Sequence, residues 1–133
     1  MTRIYISGWN REQDIVWDHE RRPLSFLASY AYPDQMEAIL ALPAQWRMLD
    51  SGAFTAWSTG KAIDLEALVE ESMTGRWDEV IALDVIGDPD GSIRNADRMR
   101  EMGANVVPVF HFGDPWEHLA HYCRHFPKVG ISR

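Results

Sequence analysis

A single cysteine, Cys123, occurs in 133 residues. One thiol excludes an internal disulfide and any metal site built from clustered cysteines, and it suits a reducing cytoplasm. Positive charge is also scarce: 13 Lys and Arg stand against 20 Asp and Glu, for a formal charge of −7. That balance disfavours broad attraction to phosphates, whose affinity comes from Lys/Arg neutralisation and counterion release. Only local basic groupings remain, Arg94/Arg98/Arg100 and Arg11/Arg21/Arg22. No run of eighteen apolar residues occurs, and the start of the chain lacks the basic, apolar, small-residue order of a leader. Membrane spanning and export are therefore not expected. GxGxxG and phosphate-loop patterns are missing, which removes the usual signal of a nucleotide cofactor. So are HxH and HExxH spacings, the common helpers of a histidine metal site. No Gly/Ser/Pro-rich linker and no clear repeat divides the chain, so 1–133 reads as one domain. It is long enough to bury a core but short of the roughly 200 to 250 residues of a complete eight-stranded α/β barrel.

What is present is an ordinary globular composition, 46% apolar and 25% charged, with six Trp that are expected mostly in the core. Ile4-Tyr5-Ile6 reads as a short strand ending at Ser7-Gly8, and Leu24 to Tyr30 as a second. Arg11 to Glu20 between them is compatible with helix or loop. Pro33 opens a helix through Leu42, with Met36, Ile39 and Leu40 on one face; Pro43 ends it, and Trp46 to Leu49 forms a third strand. Asp64 suits the N-cap of a helix carrying Leu65, Leu68, Val69 and Met73, with Gly75 as its stop. Val80 to Leu83 is continuously apolar, as in a parallel strand covered on both faces. Asp88-Pro89 introduces another helix, with Ile93, Ala96 and Met99 inward and Gly103 at its end.

Val106 to Phe110 is strand-like, although Pro108 removes a ladder donor. Asp114-Pro115-Trp116-Glu117 offers an N-cap, a proline at the first helical position and a reciprocal Glu; Leu119, Tyr122, Cys123 and Phe126 make the buried stripe of that helix. Val129 to Arg133 reads as one more strand. Alternation of strand and helix predicts an α/β fold with a parallel sheet, either doubly wound or a barrel. In both architectures function gathers at the carboxyl ends of strands.

Three apolar runs end on polar side chains: Leu49 into Asp50-Ser51-Gly52, Leu83 into Asp84, and Phe110 into His111. A carboxylate at a strand end can act as general base, hold a polar ring edge or bind a metal, while Ser51 and Gly52 allow a ligand close to backbone donors. Asp-Ser-Gly is also a common turn, and His111 alone suits a structural hydrogen bond. Asp84 is harder to explain structurally, because a carboxylate after four apolar residues is costly to bury without a partner. Asp88, Asp90 and Asp114 read as turn and cap residues. Trp57, just past a turn at Phe54, offers a stacking surface. A metal-dependent hydrolase using Asp50, Asp84 and His111 is a further, weaker reading.

These residues resemble motifs of the tRNA-guanine transglycosylase superfamily, especially its phage and bacterial members that insert 7-deazaguanine bases into DNA. The resemblance rests on LDSGAF at Leu49 to Phe54, similar to the family's Asp-Ser-Gly-Gly-Phe, on IALDVIGD at Ile81 to Asp88, and on PVFHFGDP at Pro108 to Pro115. It covers about the last two-thirds of the chain, in the order of successive barrel strands. It implies a parallel (β/α) TIM-barrel-like fold, incomplete here at about six strands, and exchange of guanine for a deazaguanine through a covalent glycosyl-enzyme intermediate. Asp50 would be the proton-transfer residue, with Ser51 and Gly52 shaping the wall beside it. Asp84 would accept hydrogen bonds from the guanine-like edge, which suits an acceptor-only carboxylate. Phe54 and Trp57 would pack beside the flipped base, with His111 sharing the mouth.

Ala53 replaces the family's second glycine. The family's nucleophilic aspartate and its zinc-binding cysteines and histidine fall beyond the point matching Arg133, so no cofactor is expected in this chain. The partners implied are a purine or 7-deazaguanine base, DNA or tRNA, and a second subunit or further copy completing the barrel, with no membrane. The implied location is the cytoplasm, the host's where the gene is a phage's. A noncatalytic purine-binding or assembly protein derived from the same fold is the alternative.

Overall fold

The computed structural model describes residues 2–8 and 24–133. The Arg11 to Glu20 segment and the Arg11/Arg21/Arg22 grouping lie outside the described residues. Within them the chain alternates β1 (Tyr5–Ile6), β2 (Ser25–Ser29), α1 (Pro33–Leu40), β3 (Arg47–Asp50), α2 (Ala53–Thr59), α3 (Leu65–Ser72), β4 (Glu79–Ile81), α4 (Pro89–Glu101), β5 (Val106–Val107), β6 (Val109–His111), α5 (Trp116–His125) and β7 (Gly130–Ser132). This is the α/β class expected from the alternation.

Strands β1 to β5 form one parallel sheet in chain order, and β6 pairs with β7, also in parallel, as a second sheet. No reversal of strand order, which a doubly wound sheet requires, occurs among the described strands. In the register, Ser29 lies beside Asp50, Leu49 beside Val80, and Ile81 beside Val107. The strand ends of β2, β3 and β4 therefore open toward one side of the sheet. Pro108 is the break between the two sheets. It has no N–H to continue the ladder of β5, while its carbonyl accepts from Gly130 N at 2.8 Å and starts the pairing of β6 with β7.

The core lies where helices cover the sheet. Phe26, Ala28, Leu49, Val80 and Val106 from the strands meet Met36 and Ile39 of α1, Leu68 and Val69 of α3, Ala96 and Met99 of α4, and Tyr122 of α5. Asp64 caps α3, accepting from Ala67 N at 3.1 Å, and Asp88 caps α4, accepting from Gly91 N at 3.0 Å. No helix among the described residues is long and apolar enough to cross a membrane.

Four expectations are corrected. Residues 53–59, read as a turn at Phe54 and its continuation, form helix α2, which buries none of its residues. Its sequence, AFTAWST, places Ala53, Ala56 and Trp57 at helical spacing over only seven residues, and left-handed glycines bound it at Gly52 and Gly60. Asp114 does not cap α5: Pro115 holds the N-cap position without a side-chain cap bond, and the Asp114 carboxylate turns back to accept from His111 N at 3.3 Å. Cys123 is exposed rather than part of the buried stripe, which is carried by Tyr122 and Phe126. Among the described tryptophans only Trp77 is buried, while Trp57 and Trp116 are exposed.

Candidate functional site

Asp50 is the last residue of β3, and the chain turns sharply behind it. The turn depends on Gly52, at φ 75°, whose N–H donates to Asp50 Oδ2 at 3.1 Å. A Cβ there would sit 2.8 Å from Ala31 Cβ and 3.0 Å from Ala31 N, so the room beside Gly52 is filled by the loop after β2. Glycine serves that close approach as well as the left-handed backbone. Ser51 is buried and its hydroxyl donates to Ala82 O at 3.0 Å, which ties β3 to the end of β4.

Asp84 follows β4 in a loop held from several directions. Val85 N donates to Ser92 Oγ at 2.9 Å, and Asn95 Nδ2 donates to Leu83 O at 2.9 Å. Both partners stand on the first turns of α4, so that helix fixes the Asp84 backbone. The Asp84 side chain meets His111 of β6, with Oδ2 and Nε2 3.1 Å apart. The other oxygen, Oδ1, is buried and has no hydrogen-bond partner among the described residues. A buried acceptor without a partner is uncommon in native interiors and marks a place where a donor from outside the chain would be stabilised.

Burial pushes the Asp50 carboxyl above its ordinary value, opposed in part by the hydrogen bonds from Gly52 N–H and the Ser29 hydroxyl. Burial likewise pushes Asp84 up; the bond and charge of His111 oppose this, and the nearby Asp114 and Asp50 carboxylates add to it. The two acids thus sense each other across one space. Acids raised in this way hold their protons closer to neutrality, where they can both give and take them.

That space is a cavity of about 510 Å³, on which Asp50, Ser51, Gly52, Phe54, Asp84 and His111 all lie, with Leu27, Ile81, Ile86, Val109 and Ile131 as its apolar wall and Arg133 at its border. Six of the seven residues singled out in the sequence are gathered there. Trp57 is not among them. It lines a neighbouring cavity of about 500 Å³ with Ala56, Lys61, Ile63, Val85 and Asn95. A smaller one of about 140 Å³ lies beyond Asp84, against His111, Asp114 and Ser92.

Sequence reading missed Ser29, Ser92, Asn95 and the role of Asp114. Asn95 carried a usable signal, since a poor helix former inside a helix invites the question of what its amide binds. Among the described residues no group of three or more His, Cys, Asp or Glu is arranged to hold a metal ion. Compared with protein-family models, curated proteins and solved structures, the chain matches none of them.

Proposed function

We propose that this chain is a nucleobase-modifying, transglycosylase-like protein that exchanges guanine for a 7-deazaguanine in DNA or tRNA, or is the amino-terminal part of such an enzyme. The fold proposed with it is a partial (β/α) barrel-like one, for which the parallel pairing of β1 to β5 in chain order is the support. The observation that carries the reading is Asp84, whose buried Oδ1 has no partner among the described residues and which lines the same cavity as Asp50 and Phe54. A guanine-like ring presents adjacent N–H donors on one edge, which a carboxylate accepts, and a flat face that Phe54 can cover.

In this reading Asp84 holds the donor edge and His111 holds Asp84. Asp50, whose carboxyl burial makes harder to ionise, gives its proton to the departing base as the carbon–nitrogen glycosidic bond breaks and its electron pair passes to the base. The sugar carbon is held meanwhile by a carboxylate nucleophile, a role assigned to none of the motif residues named above. The Asp50 carboxylate then takes the ring N–H proton of the incoming deazaguanine as the new carbon–nitrogen bond forms and the carbon–oxygen bond to the nucleophile breaks, its electron pair returning to that carboxylate.

Calorimetry with guanine, 7-deazaguanine and adenine, together with exchange of labelled guanine into DNA and tRNA, tests this. Guanine and the deazaguanine are expected to bind and adenine to bind at least tenfold more weakly, because a site that hydrogen-bonds specific donors rejects rings lacking them. Asp84→Asn should lose binding about tenfold or more, and Asp50→Asn should keep binding while losing exchange. Absence of both binding and exchange in wild type removes the proposal.

The second reading, a noncatalytic purine-binding or assembly protein completed by another copy, is favoured by β7. That strand pairs with β6 alone among the described residues, and its Ile131 is 56% exposed. Base binding without exchange, in a species of twice the chain mass, would select it.

A further inference from the structure

Helix α2 borders two adjoining cavities and presents a different aromatic ring to each. Phe54 lies on the cavity of Asp50 and Asp84, whereas Trp57, one turn later, lies on the neighbouring cavity of about 500 Å³. The rings are close, with centroids 5.7 Å apart. Neither is used for folding: α2 buries no residue, and Phe54 and Trp57 are 67% and 61% exposed. Exposing two large rings forgoes the stabilisation that burying them would bring, so a contact outside the chain is the physical reason to keep them there. The cavities are contiguous, because Ala53, Asp84 and Ile86 line both.

Charge points the same way. In a chain of net charge −7 most described cations sit beside carboxylates, as Arg76 does with Glu71, Arg94 with Asp88 and Arg100 with Asp97. Lys61 lines the Trp57 cavity and has no carboxylate partner among the described residues. An exposed indole and an ammonium on one cavity offer a face for a planar ring and a charge for an anion attached to it.

We infer that the Trp57/Lys61 cavity is a second subsite, taking the nucleotide that adjoins the one whose base enters the Asp50 cavity, with its base stacked on Trp57 and its phosphate against Lys61. This rests on the base-exchange reading and sharpens it: the substrate is a single-stranded segment of at least two nucleotides, not a free nucleoside. Each base has a flat face, so stacking here is tolerant of the neighbouring base's identity.

The test compares free guanine with guanine-centred trinucleotides, in deoxyribo and ribo form, by calorimetry on the full chain. Wild type should bind at least one trinucleotide form about tenfold or more tightly than guanine, as one added stacked base supplies. Trp57→Ala should lower the ratio of trinucleotide to guanine affinity about tenfold, and Trp57→Phe should restore most of it. Lys61→Ala should lower trinucleotide affinity and reduce its salt dependence by about one phosphate contact. Guanine binding with a ratio that Trp57→Ala leaves unchanged overturns the subsite alone. A Trp57→Phe variant as weak as Trp57→Ala overturns stacking, and loss of a dimer on Trp57→Ala, seen by mass, assigns the face to a second copy instead. Failure of guanine itself to bind overturns the base reading and this subsite with it.

Discussion

Asp50 and Asp84 each end an apolar run with a carboxyl that water barely solvates, and burial raises both above the usual carboxylate value. The consequence for stability has a definite sign. Below the ordinary Asp value of 3.8, folded and unfolded chains both hold the Asp50 proton. As pH rises above it, the unfolded chain releases that proton while the folded chain keeps it, so stability falls through the window up to the raised folded value and stays lower beyond it. Asp50→Asn removes this loss. At neutral pH the variant is expected to melt a few degrees above wild type, on the order of 1 kcal/mol, with the difference vanishing below about pH 4. Thermal melts across that range check it, and a difference independent of pH would contradict it. A gain in stability together with lost exchange would be the mark of a residue kept for chemistry.

At the scale of elements, the loop from β4 to α4 decides where Asp84 stands. The Ser92 hydroxyl satisfies the Val85 amide and donates back toward the Asp88 carbonyl at 3.2 Å. Ser92→Ala leaves a part-buried N–H without its acceptor, so a loss of about 1–3 kcal/mol is expected in urea denaturation, with weaker guanine binding as Asp84 loosens. Unchanged stability would mean that water replaces the hydroxyl. Elements with caps and periodic apolar faces, such as α3 behind Asp64 and α4 behind Asp88, were legible in the sequence because each residue's preference agreed with the fold. The helix α2 was not. It has no side-chain cap and only a short apolar pattern, Ala53, Ala56 and Trp57, and it starts from the turn at Gly52, where Ala31 approaches from another strand end. The α5 start misled for a related reason: Asp114 is a good N-cap by type, yet its carboxylate is drawn to the His111 amide across the loop.

Across the whole molecule, one buried acid joins regions far apart in sequence. Glu79 at the start of β4, its side chain 5% exposed, receives Lys128 from the segment before β7 and lies 3.8 Å from Arg3; it also accepts from the Tyr5 hydroxyl of β1 at 3.3 Å. The network sits at the ends of the strands opposite Asp50 and Asp84 and draws β1 and the β7 segment toward the middle of the sheet. Lys128→Met would leave the buried carboxylate, among the described residues, with the Tyr5 hydroxyl and the more distant Arg3. A loss of about 1–3 kcal/mol is expected, discounted because Lys128 is half exposed, and adding Glu79→Gln should recover part of it. A double-mutant cycle in urea measures this, and strict additivity of the two changes would show that the charges are uncoupled. The amino-acid sequence alone determined the alternation of elements and the three polar strand ends, because these arise from local pattern, whereas the single strand expected over Val106 to Phe110 is split at Pro108 between two sheets. Tertiary structure decided which side chains share a cavity. It set Phe54 on the Asp50 cavity and Trp57 on the neighbouring one, paired Asp84 with His111 from 27 residues away, and left Asp84 Oδ1 without a partner among the described residues, since contact between distant strand ends depends on how the sheet brings them together.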